Sequence, residues 1–504
     1  MVPSQVDQAG QAAGKVVAVV GGGIAGLAAA WELVGKAERV RVVVLEASAH
    51  VGGKIQAADV GGITVDTGPD AFLARRPEAP ALCREIGIAD ELVAPGSSRA
   101  FVFSRGRLRP LPEGLALGIP TRLLPVVRSG ILSPAGLARA SVDLLGVAGR
   151  RVDADGDRAI GDLVTHRLGH EVVDRFVDPL IGGIHAGPVS AMSAAALYPP
   201  LLEASAKRGS LLRNLRAAVP AADPAAVPAP VFLAPRGGVH RVVDALVGEL
   251  EARGVELRTS TPVTTVERTP GARDGSRRAW TLRAGRDELE ADGVVLAVPA
   301  GPAAELLAPL DGAGGAALAR IGYATVTVVT LVLPASSPTR LLDGTGFLVP
   351  AVEGWLTTAC TWMSTKWPHL ARPGEVVVRA SVGRFGDERA LAMTDDELTD
   401  AVVGELRPVL GLREGPSATL VTRWPGAFPQ YAPGHLERVE AIDAGVRALG
   451  TIAVAGAAYR GVGIPACIAG GRSAARHVIG AGDPERDPAS AAAGAHPSGA
   501  RPPS

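Results

Sequence analysis

The sequence predicts an α/β protein in which a Rossmann-like nucleotide-binding domain is combined with a mixed-sheet substrate domain and a helical insertion. Three observations carry this. Residues 15–35, KVVAVVGGGIAGLAAAWELVG, pass from an apolar strand through a glycine turn into a small-residue helix. β-Branched, strand-like runs return far downstream at 255–267, 293–299, 324–334 and 375–383, so one or two sheets must be assembled from distant pieces. Between these, residues from about 77 to 216 are patterned mainly as helix, with Leu137, Leu144 and Leu145 at i, i+7 and i+8 on one expected face. A chain of 504 residues exceeds what one hydrophobic core fills, which leaves room for a ligand between domains.

Taken in order, residues 1–14 lack periodicity and are expected to be disordered. The nucleotide-binding domain is expected in three parts, 15–76, 231–300 and 451–481. Residues 77–216 form the helical and substrate region, the Pro/Ala stretch 217–230 reads as a linker or surface loop, and 301–450 supply the substrate-domain sheet. The tail 482–504, ending PASAAAGAHPSGARPPS, is again expected to be disordered.

Composition narrows the function classes. Lysine plus arginine and aspartate plus glutamate both total 51, so no nucleic-acid footprint is present. Cys83, Cys360 and Cys467 form no CxxC or disulfide pattern, which suits a reducing cytoplasm. No secretory leader is visible. The most lipid-like segment, 111–149, is interrupted by Arg122, Arg128, Arg139, Asp143 and several prolines; it can lie on a membrane surface but cannot span one as a single helix. His166 and His170 stand four apart without a third ligand nearby, so no metal site is expected.

The first strand leads into Gly21, Gly23 and Gly26 in GxGxxG spacing. Gly21 permits a tight turn, Gly23 lets the backbone approach a pyrophosphate, and Gly26 lets the helix pack on the sheet, while the helix N-terminus supplies N–H donors. A second strand, RVVVLEA at 41–47, ends in Glu46 about 20 residues beyond Gly26, where a carboxylate accepts ribose hydroxyls. A glutamate there repels a 2′-phosphate. NADP is thus disfavoured, and NAD and FAD remain.

Downstream motifs separate these two. VGGKIQ (51–56) resembles the second phosphate-contacting motif of the FAD-dependent amine oxidase type of fold, with Lys54 where arginine is common. TIAVAGAAYRGVGIPACIAGGRSAA (451–475) resembles its C-terminal flavin motif. Adding GPDAFLARR (68–76), LPEGLALGIPT (111–121), VDPLIGGIHAG (177–187), ACTWMSTKWPH (359–369), TRWPGAFPQY (422–431) and YRGVGIPACI (459–468), the chain resembles FAD-dependent, oxygen-using porphyrinogen oxidases over residues 15–480. Within them it is most similar to the coproporphyrinogen III oxidases.

That resemblance implies FAD contacts along the glycine loop, at Gly21, Gly22, Gly23, Ile24, Ala25 and Gly26. It further implies contacts at Glu46, Ala47 and Lys54, at Gly68, Pro69 and Asp70, and at Val263, Trp424, Val462, Gly463 and Ile464. It implies six electrons removed from coproporphyrinogen III in haem biosynthesis, in three two-electron rounds at flavin N5, with oxygen reduced to hydrogen peroxide. No catalytic side chain is required. Besides Lys54, three positions depart from the family pattern, at His185, Pro188 and Ala457.

Substrate carboxylates call for cations, and the candidates are Arg75, Arg76 and Arg460; His185 is a candidate proton acceptor near neutral pH. Trp424, Phe428 and Tyr431 offer flat apolar walls. Protoporphyrinogen IX is the rival substrate, a flavin amine oxidase is a more distant reading, and a non-catalytic flavin- or porphyrin-binding protein lies in a separate class. Expected partners are the porphyrinogen and oxygen, with membrane-surface contact and transient docking to a haem-pathway chelatase left open. The expected location is cytoplasmic, with or without membrane association.

Overall fold

The computed structural model describes residues 14–36, 40–116, 118–146, 156–218, 229–272 and 278–480. Residues 1–13 and 482–504 of the two expected disordered termini, and most of the 217–230 linker, lie outside these residues.

The strand β1 (Lys15–Val20), helix α1 (Ile24–Lys36) and strand β2 (Val40–Leu45) open a five-stranded sheet. It is completed by β3 (Glu256–Arg258), β4 (Gly293–Leu296) and β5 (Ile452–Val454), in the order β3-β2-β1-β4-β5 with every pair parallel. Such a sheet is covered on both faces, which explains the near-continuous apolar run of β1. Val17 and Val19 enter the core shared with α1, residues 240–252 and the C-terminal helix α2 (Ile464–Val478). Val16, Ala18 and Val20 enter a second core with helices at 300–307, 312–319 and 435–448. α1 and α2 touch backbone to backbone: a Cβ on Gly471 would lie 2.0 Å from the Ala25 carbonyl oxygen.

The second sheet has seven strands, ordered Ala418–Pro429, Tyr323–Pro334, Glu375–Val382, Thr357–Trp362, Gly346–Leu348, Phe101–Ser104 and Arg107–Pro110. It is mixed, since Gly346–Leu348 pairs in parallel with Phe101–Ser104 while its other neighbours are antiparallel. Its last two strands come from a region patterned as helix in the sequence. Arg105 (φ 52°) and Gly106 (φ 76°) make the left-handed turn of a hairpin, and Phe101 and Phe103 pack on Trp362 and Trp355 with centroids 5.5 and 4.4 Å apart. FVFSRGRLRP carries a strand–turn–strand signal, and the α-helices of this region lie further out, at Glu78–Glu85 and Leu123–Ser129.

The helical layer has its own core, built around residues 123–145, 160–182 and 194–215. Asp143, which breaks the lipid-like segment, is wholly buried here. It receives Arg167 Nε at 3.0 Å, Ser210 Oγ at 2.7 Å and the backbone N–H groups of Leu211 and Leu212, so it caps the helix Leu211–Ala218. The helix Pro134–Ser141 tightens into a 3₁₀ turn at Val142–Leu145. This rotates Leu145 into solvent while Leu137 and Leu144 face the core, so the expected three-leucine face is split.

Candidate cofactor and substrate site

The glycine turn is shaped as the spacing requires. Gly21 sits at φ +106°, and a Cβ there would lie 2.5 Å from the Ala297 carbonyl oxygen. A Cβ on Gly26 would lie 1.9 Å from the Gly21 carbonyl oxygen, so the helix starts pressed against the turn. Gly23 differs: its Cβ would meet only Gly53 Cα, at 4.0 Å. The space in front of Gly23 is therefore bounded by protein but not filled by it.

Glu46 organises this turn. Its Oε2 accepts the Gly22 N–H at 2.6 Å, and its Oε1 accepts both the backbone N–H and the hydroxyl of Ser48 at 2.8 Å. A carboxylate has about four lone-pair sites, which leaves capacity for a ribose hydroxyl. Ala47 is exposed beside it. The carbonyl of Glu46 receives the Thr261 N–H at 2.8 Å, which brings the strand beginning at Val263 to the same edge.

The second glycine pair lies on the first loop. Gly52 N–H donates to the Gly22 carbonyl at 2.7 Å, and Gly52 and Gly53 both adopt left-handed backbone, at φ 104° and 61°. Lys54 follows. Burial lowers the pKa of its ammonium, with Cys467 close enough to oppose that effect, and no hydrogen-bond or ion-pair partner meets it among the described residues. An uncommitted, desolvated cation beside an open glycine cradle fits the pyrophosphate or the electron-rich flavin of FAD.

Residues 66–70 tie the cradle to the large sheet. Trp424 Nε1 donates to the Thr67 carbonyl at 2.9 Å, and Arg379 Nη1 donates to the carbonyls of Asp66 and Gly68 at 3.2 and 3.1 Å. The Asp70 carboxylate accepts from Lys366 Nζ at 2.8 Å and Trp367 Nε1 at 3.0 Å, with Arg379 at 3.4 Å. Burial alone would raise its pKa, but Lys366 and Arg379 outweigh that and hold it well below the usual carboxylate range. The side chain of Asp70 is thus spent on domain anchoring. What Gly68, Pro69 and Asp70 can offer a cofactor is backbone.

The C-terminal motif forms the facing turn. Gly461 sits at φ 140°, and Val462 and Gly463 lead into α2 at Ile464. Tyr431, expected as a flat wall, lies beneath this turn at 3% exposure. Its hydroxyl donates to the Ala457 carbonyl at 2.6 Å and accepts the Gly461 N–H at 2.8 Å.

Across Trp424 from residues 66–70, Ala186, Ala324, Val326 and Ala427 form a small apolar cluster flanked by Trp424 and Phe428. The loop of His185 and Ala186 is pinned by Gln430 Nε2 to the His185 carbonyl at 2.9 Å, and by Phe385 N–H to the Ala186 carbonyl at 2.6 Å. Ala186 is left-handed at φ 51°. Burial pulls the His185 imidazole down to about 4. It is therefore neutral near pH 7 and does not titrate there, contrary to expectation.

The three arginines diverge. Arg76 pairs with Glu78 at 3.1 Å, and Arg460 turns outward to Asp443 at 2.7 Å with a side chain 59% exposed. The reason is local: each has a carboxylate within reach on the surface, two or seventeen residues away. Arg75 alone has no ion-pair partner among the described residues, and it lies close enough to Tyr198 to influence its hydroxyl. His166 and His170 line a separate cavity of about 520 Å³ in the helical layer, with Asp162, Asp174 and Asp178. Among the described residues no group of three ligating side chains has a metal-binding arrangement, and no helix is long and apolar enough to cross a membrane.

The family described as flavin containing amine oxidoreductase matches residues 24–479. The coproporphyrinogen III oxidase of Propionibacterium freudenreichii subsp. freudenreichii is 38% identical, covering 92% of this chain and 90% of that protein. That of Bacillus subtilis (strain 168) is 32% identical, covering 91% of this chain and 97% of its own length. A crystal structure of a candidate protoporphyrinogen oxidase from Exiguobacterium sp. 255-15 superposes with a TM-score of 0.81 at 30% identity, covering 92% of this chain and 98% of that one. The chain belongs to the flavin-containing amine oxidoreductase family, alongside its coproporphyrinogen III and protoporphyrinogen oxidases, and FAD is its cofactor.

Proposed function

We propose that this protein oxidises coproporphyrinogen III to coproporphyrin III in haem biosynthesis, passing six electrons through FAD to oxygen and releasing hydrogen peroxide. The observation that carries the reading is the apolar floor of Ala186, Ala324, Val326 and Ala427, framed by Trp424 and Phe428, at the junction of residues 66–70 with the large sheet. A flat macrocycle needs such a surface. FAD supplies the two-electron chemistry.

The chain's own residues bind, orient and exclude water. The turn Gly21 to Gly26 receives the pyrophosphate and Glu46 a ribose hydroxyl, with Ala47 and Val263 at the adenine edge. Lys54, the backbone of Gly68 to Asp70, Trp424 and Val462 to Ile464 surround the flavin. Arg75 pairs with a substrate carboxylate. Neutral His185 packs in the substrate loop and offers hydrogen bonds without charge.

Protoporphyrinogen IX, with two propionates rather than four, is the second reading. It draws on the commitment of Arg76 and Arg460 elsewhere, which leaves fewer cations for the substrate edge. Contact with a membrane surface is supported by Leu124, Val127, Val142 and Leu145, all exposed on the helical layer beside exposed Arg122 and Arg128.

Anaerobic mixing with coproporphyrinogen III tests the reading. The bound flavin should bleach and regain its colour when oxygen enters, with three hydrogen peroxide molecules formed per porphyrin. A flavin that stays oxidised in the presence of the porphyrinogen would refute oxidase activity on it.

A further inference from the structure

The strand Ala418–Pro429 of the large sheet connects to the helix His435–Ala448 of the nucleotide-binding domain through a short segment that begins Gln430-Tyr431. Consecutive side chains leaving a strand point to opposite sides. Here the two sides are the two halves of the site.

Gln430 reaches the substrate loop. Its Nε2 donates to the His185 carbonyl at 2.9 Å and to its own strand at the Phe428 carbonyl at 3.2 Å. Its Oε1 is packed so closely on Gly187 that a Cβ there would lie 2.0 Å away. The Gln430 N–H is fixed in turn, donating to the Gly322 carbonyl at 2.8 Å.

Tyr431 reaches the flavin turn. One hydroxyl closes both ends of that turn, as donor to Ala457 and acceptor from Gly461. Burial keeps the hydroxyl protonated, so the donor role is retained across the working pH range. The ring stacks on His435 with centroids 3.8 Å apart and planes 12° from parallel. His435, fully buried, bonds through Nε2 to the Tyr459 carbonyl at 2.8 Å, inside the same turn. The backbone carbonyl of Tyr431 accepts the Ser193 N–H of the helical layer at 2.7 Å. Asp157 reinforces this joint, accepting from Ser193 Oγ and from the Gly434 N–H at 2.5 and 2.9 Å.

We propose that Gln430 and Tyr431 are a pair of positioning residues that together set the gap between flavin and substrate, Tyr431 by fixing the turn 457–461 and Gln430 by fixing the loop 185–187. The Tyr431 half rests on the FAD cofactor alone. The Gln430 half also rests on the proposed porphyrinogen substrate.

Two single variants of the full-length FAD-loaded enzyme separate the halves. Tyr431→Phe keeps the stacked ring and loses two hydrogen bonds, so the FAD dissociation constant should rise about 10-fold. The fine structure of its visible flavin band should blur, while KM for coproporphyrinogen III at saturating FAD stays within about twofold. Gln430→Met keeps the volume and loses the donor. KM, and the dissociation constant for the product porphyrin by fluorescence quenching, should rise about 10-fold with FAD affinity and spectrum unchanged. If Tyr431→Phe does not fold, His435→Phe keeps a stacked ring and removes the bond to Tyr459, and its FAD affinity should fall about threefold. An unaltered FAD affinity and spectrum in the Tyr431 or His435 variant overturns the flavin half. A Gln430 variant that shifts FAD binding as much as porphyrin binding overturns the division of labour. A wild type inactive on porphyrinogens removes the substrate reading and leaves the Tyr431 result standing.

Discussion

The proposed cofactor cradle and the proposed substrate edge are built by different physics. The glycine-turn part of the cradle is local and largely backbone: Gly21, Gly26 and Gly52 are held by conformation and close approach, and Glu46 lies one strand away in the same βαβ unit. The substrate edge is assembled from residues hundreds apart. Gln430 on His185, for example, spans 245 positions. Its cations depend on which carboxylate each side chain finds, as Arg76 with Glu78 and Arg460 with Asp443 demonstrate. Backbone recognition leaves a spacing in the sequence, whereas side-chain recognition depends on neighbours that only the fold supplies.

The largest effect should come from Gly23→Val. The protein has room for the new Cβ, so the apoprotein's thermal unfolding should change little, yet flavin should be lost on gel filtration because the side chain takes the pyrophosphate's place. Full FAD occupancy in that variant would mean the turn is not the cradle, and the comparison would collapse.

Next is Asp70→Asn, which strands Lys366 and Arg379 without their buried carboxylate. Breaking a buried ion pair costs about 3–5 kcal/mol, read by denaturant unfolding at neutral pH. The sign with pH follows from the depressed folded-state pKa of Asp70. Its contribution is fully present above the unfolded-chain value of about 3.9 and is lost as pH falls through the folded value. Wild type and variant should therefore converge in stability in strong acid. A gap that persists there would place the stabilisation elsewhere.

The shape of the glycine turns at Gly21, Gly26, Gly52 and Gly53 was legible in the sequence because short spacing dictates it. The strand hairpin at 101–110 was not, since its strands are short and it joins the sheet through a strand at 346–348, far along the chain. Tyr431 was legible as an aromatic but not as a hydrogen-bonding staple; the donors and acceptors it meets at Ala457 and Gly461 belong to a distant segment. His185 was read as titrating near neutral pH, and its burial holds the imidazole below that range.

A smaller effect is expected at Glu46. Losing a charged hydrogen-bond partner typically costs about 1.5–3 kcal/mol, so Glu46→Ala should weaken FAD roughly 10- to 100-fold by equilibrium titration. Turnover at saturating FAD should change much less, since the ribose is remote from the reacting ring. Unchanged affinity would show that Glu46 serves only Gly22 and Ser48.

The substrate edge is sharpened by three arginine variants. Arg75→Ala should cost about 1.5–3 kcal/mol in kcat/KM for coproporphyrinogen III. Arg76→Ala and Arg460→Ala, which lose exposed surface pairs, should stay within about 0.5 kcal/mol of wild type. Equal losses in all three would mean that the surface pairs open to receive substrate.

The central claim is the substrate, and the most direct measurement is aerobic kcat/KM of the purified FAD-loaded enzyme with coproporphyrinogen III and with protoporphyrinogen IX, followed by porphyrin fluorescence. The expected result is a higher value for coproporphyrinogen III, with the preference narrowed by Arg75→Ala. Equal or greater efficiency with protoporphyrinogen IX would contradict the account and assign the site to the rival substrate.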